Sequence, residues 1–289
     1  MPITHSVDHL KKLHQEAMRF FEAELSMIQV VLPKITDDRV AKTATLLLSS
    51  GHTGTALLML AEQTDSFSSE IVMLARSFME KLTNFCYANI CDETEYRAFI
   101  LHPIYKQYHN AGIPRLGDDP SSWKEDYEAI KKKQEKLKDI DIVKEALTLF
   151  SETKDSMNWT KKKMWERIDA IQKWGKILDP FFTVSKYEYY ADASEALHGS
   201  LYGCMLNIGA FEPGFDPLNY EELEKRNLKE TICVLLHLGM LVHECFTLIK
   251  YSTDVQEIWA HSYDNRGRAL NMLFHVQERK VGDRKTAKQ

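Results

Sequence analysis

Apolar residues recur at helical spacing over long stretches of this chain, which is the pattern of helices that bury one side. From His9 to Val31 an apolar residue returns every three or four positions, until Pro33 ends the pattern. Only 12 glycines and 8 prolines interrupt 289 residues, and no segment alternates with the period of two that a strand requires. The sequence therefore predicts an all-α fold, a multi-helix bundle.

The same periodicity predicts where individual helices begin and end. Thr36 to Asp38 is expected to cap a helix that reaches Leu48. The glycines at 51 and 54 predict a break before a short helix over Thr55–Gln63. Further helices are predicted over Ser68–Ile90, Asp92–His109, Trp123–Leu137, Ile140–Phe150, Thr160–Trp174, Tyr187–Ile208, Tyr220–Tyr251 and Val255–Val276.

Changes in composition indicate how these helices are organised. Residues 1–276 are predicted to form a single helical domain, and residues 277–289 a flexible basic tail. Within the domain, residues from about 112 to 186 are rich in both acidic and basic side chains. We interpret them as a charged helical insertion with solvated faces rather than as a nucleic-acid patch.

Charge and cysteine usage exclude several classes of protein. Lys+Arg 37 against Asp+Glu 42 gives a net charge of −5, which argues against a dedicated duplex-DNA binder. The 5 cysteines contain no Cys-x-x-Cys pair, so a disulfide framework and a zinc ribbon are not expected.

The most apolar segment, Thr231–Ile249, is long enough to span a bilayer. It contains His237, His243 and Glu244, and a carboxylate at that depth would cost about 2.5–3.5 kcal/mol. We therefore predict a buried core helix instead. No signal peptide is visible at the N-terminus, and we expect a cytoplasmic protein that does not bind membranes.

A line of polar residues runs along the helix predicted over Ser68–Ile90. Arg76, Glu80, Asn84 and Tyr87 are spaced four, four and three residues apart, so they share one face. We call these four residues the polar stripe. Large apolar side chains flank it, which indicates a buried helix whose polar groups pair inside the protein, since an unpaired buried charge is costly.

A second polar constellation lies on the helix predicted over Tyr187–Ile208. Ser194 and His198 are four residues apart on one face, and Glu195 lies on the adjacent line. A helical bundle can bring these three residues together with Arg76 and Glu80, so the five are candidates for one site.

Both helices carry motifs that resemble one bacterial family of all-helical proteins, which is known only as a domain of unknown function. Its signature is an A-R-S-x-x-E helix with a downstream Asn and aromatic, and a distant S-E-x-x-H-G helix. The matching residues are Leu74-Ala75-Arg76-Ser77-Phe78-Met79-Glu80 with Asn84 and Tyr87, and Ser194-Glu195-Ala196-Leu197-His198-Gly199. The resemblance covers roughly Ser50–His109 and Tyr187–Leu248 and implies an all-helical fold without an assigned activity.

In outline this family is similar to the HEPN superfamily, helical bundles that include ribonucleases of toxin and antiviral systems. The resemblance implies a catalytic arginine followed, after four to six residues, by a histidine, and Arg97 and His102 match that spacing. The chain departs from the pattern at Ala98, where a polar residue is usual, and at Pro103, which follows the histidine directly.

Three interpretations of these residues stay open. As a metal-independent ribonuclease, the chain would use His198 or His102 as general acid/base and Arg76 or Arg97 to stabilise the phosphate charge. As a metal-binding bundle, it would use Glu195-x-x-His198, the spacing of di-iron carboxylate sites, with Glu80 as a third ligand. As an interaction or sensor subunit, it would use the same polar network only to fix helix packing.

The sequence thus predicts a helical protein that acts on or binds RNA in bacterial defence or stress response. Arg76, Glu80 and His198 are its central candidate residues, and no cofactor is expected. The predicted partners are RNA, further copies of the same chain, or a second protein.

Overall fold

The computed structural model describes residues 6–63, 68–110, 121, 123–151, 158–174, 182, 201, 205, 210–211, 214, 216–252, 266–273 and 276. Within these ranges the regular elements are all helical, and the chain is an all-α multi-helix protein, as predicted. The helices are α1 Val7–Val31, a 3₁₀ helix Leu32–Lys34, α2 Asp38–Ala61, α3 Ser68–Ile90, α4 Glu93–Asn110, α5 Trp123–Leu137, α6 Asp141–Phe150, α7 Met164–Trp174 and α8 Tyr220–Ser252.

Contacts divide the chain into two compact units. Unit 1 comprises residues 1–89 and 164–289, and unit 2 comprises residues 90–163. Unit 2 thus interrupts unit 1 in sequence, with bounds that differ from the insertion predicted at about 112–186. The assignment of residues 1–276 to one domain stays a prediction, and the basic tail at 277–289 lies outside the described residues.

Polar side chains set the first residues of several helices. The Ser6 hydroxyl accepts a hydrogen bond from the His9 amide at 3.3 Å, and the Asp37 carboxylate accepts one from the Val40 amide at 2.8 Å. Both satisfy amide groups that have no partner within the first helical turn. Asp37 therefore begins α2 within the segment that the sequence predicts as its cap.

The core of unit 1 is built around α1 and α8, which run in the same direction. Lys11 pairs with Glu224 near the start of both helices, and Glu24 lies beside His243 further along. Of the most apolar 18-residue window of α8, 89% is buried. The segment predicted from Thr231 to Ile249 is therefore a buried core helix within unit 1.

The predicted break at Gly51 and Gly54 is wrong, because α2 continues from Asp38 to Ala61. Gly54 is needed for packing rather than for a turn. A Cβ atom at this position would lie 2.6 Å from Leu25 Cδ2 of α1 and 3.1 Å from Phe78 Cε2 of α3. The missing side chain lets α1 and α3 approach α2 closely, which offsets the low helix propensity of glycine.

Two described helices are long and apolar enough to span a membrane by length and composition. They are Asp38–Ala61, which is α2, and Tyr220–Lys250, which makes up most of α8. They differ in burial, since only 33% of the apolar window of α2 is buried in the protein. The outer side of α2 is therefore a largely exposed surface without charged residues between Thr43 and Ala61.

Unit 2 has its own small core between α4 and α6. Leu101 of α4 packs against Ala146 and Phe150 of α6, with Tyr105 at the edge of this cluster. The tilted rings of Tyr105 and Phe150 lie 4.9 Å apart.

The segment before α7 is held in a non-helical conformation by Glu95 of α4. Thr160 Oγ1 and Lys162 Nζ donate hydrogen bonds to the two Glu95 carboxylate oxygens at 2.8 and 2.7 Å. The helix predicted to begin at Thr160 therefore begins at Met164.

Candidate functional site

The first three residues of the polar stripe, Arg76, Glu80 and Asn84, lie on the least buried side of α3. Arg76 Nε donates a hydrogen bond to Glu80 Oε1 at 3.1 Å, as the four-residue spacing predicts. The Arg76 side chain is 18% exposed and that of Glu80 40%, so these polar groups pair with each other at a partly exposed position rather than in the buried interior. Tyr87, in contrast, is buried in unit 1. The accessible part of the stripe is therefore Arg76, Glu80 and Asn84.

An arginine from α7 completes this group. Arg167 Nη1 donates a hydrogen bond to Asn84 Oδ1, which joins α7 to α3 within unit 1. Arg167 is not among the site residues predicted from the sequence, because it lies in the segment from about 112 to 186 that is interpreted as a charged insertion. The signal was present, since Arg167 stands among the apolar positions Met164, Ile168 and Ile171, which face the core. An arginine at the edge of such a face is placed to bond across to a neighbouring helix.

The opposite side of α3 is fixed to α2 by polar contacts. Lys81 Nζ donates to Thr53 Oγ1 at 2.5 Å and to the Ser49 carbonyl at 3.3 Å, and burial lowers the pKa of Lys81. Further along, Asn89 Nδ2 donates to Thr43 Oγ1 at 2.8 Å. These contacts set the rotation of α3 about its axis and so direct the polar stripe away from α2.

Arg97 and His102 belong to unit 2 and do not converge on one face. Five residues along α4 separate them by about 140° around the helix axis. Arg97 Nε and Nη2 donate to the two carboxylate oxygens of Glu145 at 2.7 and 2.6 Å, and the His102 ring packs edge-on against Phe150 with 5.5 Å between centroids. The hydrogen bond raises the pKa of Arg97 and lowers that of Glu145. Their catalytic pairing stays a prediction.

Ser194, Glu195 and His198 lie outside the described residues, as does the whole predicted helix apart from isolated positions. Their proximity to Arg76 and Glu80, and a metal site made by Glu195, His198 and Glu80, therefore stay predictions. Among the residues that are described, no three His, Cys, Asp or Glu side chains are grouped as metal ligands.

The three polar residues identified from the sequence in the apolar part of α8 each contact a different neighbour. His237 Nδ1 lies 2.7 Å from the Cys233 carbonyl oxygen, His243 Nδ1 lies 3.9 Å from Glu24 Oε2, and Glu244 Oε1 lies 3.3 Å from Arg266 Nη2. These contacts connect α8 to itself, to α1 and to the helical residues 266–273. The three side chains contribute to the packing of unit 1 rather than to one cluster.

A pair of buried thiols joins α3 to α8. Cys86 Sγ and Cys245 Sγ are 3.5 Å apart, and both residues are fully buried. Burial raises the pKa of Cys245 well above its usual value, because a thiolate is poorly solvated in an apolar core. Both therefore behave as small apolar side chains.

Comparison with known proteins shows a match to a protein family. The sequence profile of a family of unknown function, DUF5677, matches residues 43–215, which is more than half of the chain and includes most of α2 and all of α3 to α7. No curated protein and no solved structure matches.

Proposed function

The chain belongs to DUF5677, a family of unknown function, and from this premise we propose that it is a HEPN-like protein that binds and cleaves RNA. The observation that carries the proposal is the pair of guanidinium groups, Arg76 and Arg167, placed along one partly exposed side of α3 with Glu80 and Asn84. As part of the same proposal, the protein acts in the bacterial cytoplasm in defence or stress response.

In this proposal the two arginines, one from α3 and one from α7, form a phosphate-binding surface along one side of α3. Arg76 and the Asn84 that holds Arg167 are eight residues apart on α3, which corresponds to about 12 Å along the helix. A guanidinium group donates two parallel hydrogen bonds to phosphate oxygens, and it keeps its charge at every physiological pH. Among Arg76, Glu80, Asn84 and Arg167 the positive charges outnumber the negative ones by one, which favours an anionic ligand.

Glu80 and Asn84 then position the two guanidinium groups before RNA arrives. A phosphate that binds Arg76 competes with the Glu80 carboxylate, which repels it. Removal of the carboxylate charge should therefore strengthen RNA binding, whereas removal of either arginine should weaken it. If the network served packing alone, the arginine variants and Glu80→Gln would not change RNA affinity in opposite directions.

Cleavage of RNA without a metal requires a general base for the 2′-hydroxyl group and stabilisation of charge on the phosphate. We assign the acid/base role to His198 and the charge stabilisation to Arg76. The alternative residues for these two roles are His102 and Arg97, which both belong to unit 2. Ser194 and Glu195 would orient His198, as their spacing on the predicted helix suggests.

The test combines RNA cleavage with RNA binding. Purified protein is incubated with total RNA and tRNA in EDTA, as wild type and as His198→Ala, His102→Ala and Arg76→Gln. Binding of a labelled RNA is followed by fluorescence anisotropy for Arg76→Gln, Arg167→Gln and Glu80→Gln. Arg268→Gln is the matched control, because Arg268 is an exposed arginine of unit 1 that does not belong to the polar stripe.

We expect loss of cleavage in His198→Ala at an unchanged Tm, weaker binding in both α3-side arginine variants, and tighter binding in Glu80→Gln. The arginine variants should also reduce the salt dependence of binding, since each removes a phosphate contact. Intact RNA in every reaction would refute cleavage, and affinities equal to that of Arg268→Gln would refute the binding site.

The second candidate is a non-enzymatic interaction or sensor subunit. It is favoured by the pairing of Arg76 with Glu80 and of Asn84 with Arg167, which holds α7 against α3 and needs no ligand. In this case Arg167→Gln and Asn84→Ala should lower the free energy of unfolding by similar amounts, and neither should change RNA binding. Urea unfolding of both variants and of the double variant measures the contribution of this contact to stability. Unchanged RNA affinity in both single variants distinguishes this candidate from the first.

A further inference from the structure

The longest uncharged segment among the described surface helices is in α2. From Thr43 to Ala61 the helix has 19 consecutive residues without Asp, Glu, Lys or Arg. Two thirds of its apolar window is not buried in the protein, unlike the corresponding window of α8. Segments this poor in charge are usually buried, so the uncovered side of α2 requires an explanation.

The uncovered residues form one continuous line. Residues 45, 48, 52, 55 and 59 follow each other at intervals of three and four and are all exposed, with Leu48 at 44% and Met59 at 66%. We call Thr45, Leu48, His52, Thr55 and Met59 the α2 outer face. The opposite side of the helix, with Leu47, Gly54 and Leu57, is buried in unit 1.

We propose that the α2 outer face is covered by the same face of a second copy of this chain, with the two helices antiparallel about a twofold axis near His52. Charge complementarity specifies this arrangement. Lys42 precedes His52 by ten residues and Glu62 follows it by ten, and both are exposed on either side of the uncharged segment. An antiparallel pair therefore places each Lys42 opposite Glu62 of the other copy, twice in one dimer.

The pairing is compatible with the contacts that the structure already contains. Lys42 Nζ lies 2.6 Å from Asp38 Oδ2 in an exposed pair on the same helix, and an ammonium group has three donors. Between the two charged ends the outer face offers methyl, hydroxyl and imidazole groups, which can pack against themselves without placing like charges together.

Other occupants fit this face less well. Helices that bind membrane surfaces combine large apolar side chains with a basic polar face. In α2 the exposed line instead contains Thr45, His52 and Thr55, and Glu62 follows it. A strongly charged protein partner would require complementary charges along the line, and residues 43–61 have none.

The size of the contact predicts a weak dimer. A helix of 24 residues is about 36 Å long and about 10 Å wide, so α2 offers about 360 Å² per copy. Stable interfaces bury about 800 Å² per partner. We therefore expect a dissociation constant in the micromolar range or above, and a concentration-dependent equilibrium between monomer and dimer.

Sedimentation velocity of the full chain, from about 1 µM to about 1 mM, tests the proposal over this range of affinities. His52→Glu places two carboxylates together at the axis, and Thr55→Glu places a charge within the neutral face. Each should weaken dimerisation at least about tenfold, because like charges in contact are strongly unfavourable. Gln29→Glu, at an exposed neutral position of α1, is the matched control and should dimerise as the wild type does. Circular dichroism and Tm confirm that each variant is folded.

A charge exchange tests the antiparallel alignment. Lys42→Glu and Glu62→Lys each create two like-charge contacts and should weaken the dimer, whereas the double variant Lys42→Glu/Glu62→Lys restores two opposite-charge contacts and should recover it. The proposal is overturned by a monomer at every concentration, or by a dimer that none of the α2 variants affects. Flotation of the protein with vesicles of neutral or anionic phospholipid, lost in His52→Glu, would overturn it in favour of a membrane surface.

Discussion

At the scale of single residues, the buried histidine of α1 makes the stability of unit 1 depend on pH. His14 is 4% exposed and is hydrogen-bonded to the carbonyl of Ala61, and burial lowers its pKa below the usual 6.5. In the unfolded chain His14 therefore binds a proton at a higher pH than it does in the folded protein. The free energy of unfolding falls as the pH decreases below the pKa of His14 in the unfolded chain.

We expect His14→Gln to remove this acid sensitivity. The glutamine amide can still donate to the Ala61 carbonyl but does not titrate. Urea unfolding at about pH 7.5 and about pH 5.5, on either side of the histidine pKa, should show a smaller loss of stability on acidification in His14→Gln than in the wild type. An equal loss in both proteins would mean that other groups cause it.

The contact of Glu24 with His243 is a second property of individual side chains. Both are buried, with 3.9 Å between Oε2 and Nδ1. We expect His243→Leu to lower the free energy of unfolding by about 1–3 kcal/mol, because it removes one member of a buried polar pair. Glu24→Leu/His243→Leu should recover much of this loss. Additive effects in the double-mutant cycle would show that the two side chains do not interact.

At the scale of helices, the two glycines of α2 have opposite roles although they are three residues apart. A Cβ at Gly51 would lie 3.8 Å from Ile28 Cδ1, an ordinary contact, whereas at Gly54 it would clash with buried Leu25 and Phe78. Gly51→Ala should therefore stabilise the protein by about 0.5–1 kcal/mol through helix propensity. Gly54→Ala should destabilise it by about 1–3 kcal/mol, since α1 and α3 must move away from α2. Thermal unfolding of both variants measures this contrast directly.

These helices show how far periodicity predicts the fold. It predicts α1 closely, because one side of this helix is buried and the apolar spacing records that burial. It also predicts α8 closely, because this helix is a long apolar segment that is buried on nearly all sides. It fails at Gly54, where sequence cannot show that a neighbouring helix occupies the space of the missing Cβ. It also fails at Thr160, because Glu95, which holds this segment, is distant in sequence.

Only the contact within α3 could be predicted from the sequence of the candidate site. The spacing of Arg76 and Glu80 predicts their contact, since residues four apart on a helix are neighbours. Arg167 could not be assigned to Asn84, because their contact joins residues 83 positions apart through the packing of α7 on α3. The exposure of Glu80 was also beyond reach, since apolar neighbours along α3 do not determine which side the other helices leave uncovered.

At the scale of the whole molecule, the chain contains a second compact unit with its own core inside the sequence of the first. Phe150, which is 5% exposed, packs with Leu101 and Ala146 and lies 4.9 Å from the Tyr105 ring. Phe150→Ala should cost about 3–5 kcal/mol by leaving a cavity. Because α1 and α8 are buried against each other, we expect amide exchange to accelerate in α4 and α6 and to stay slow in those two helices. Uniform acceleration throughout the chain, measured by mass spectrometry, would instead show that residues 90–163 unfold together with unit 1.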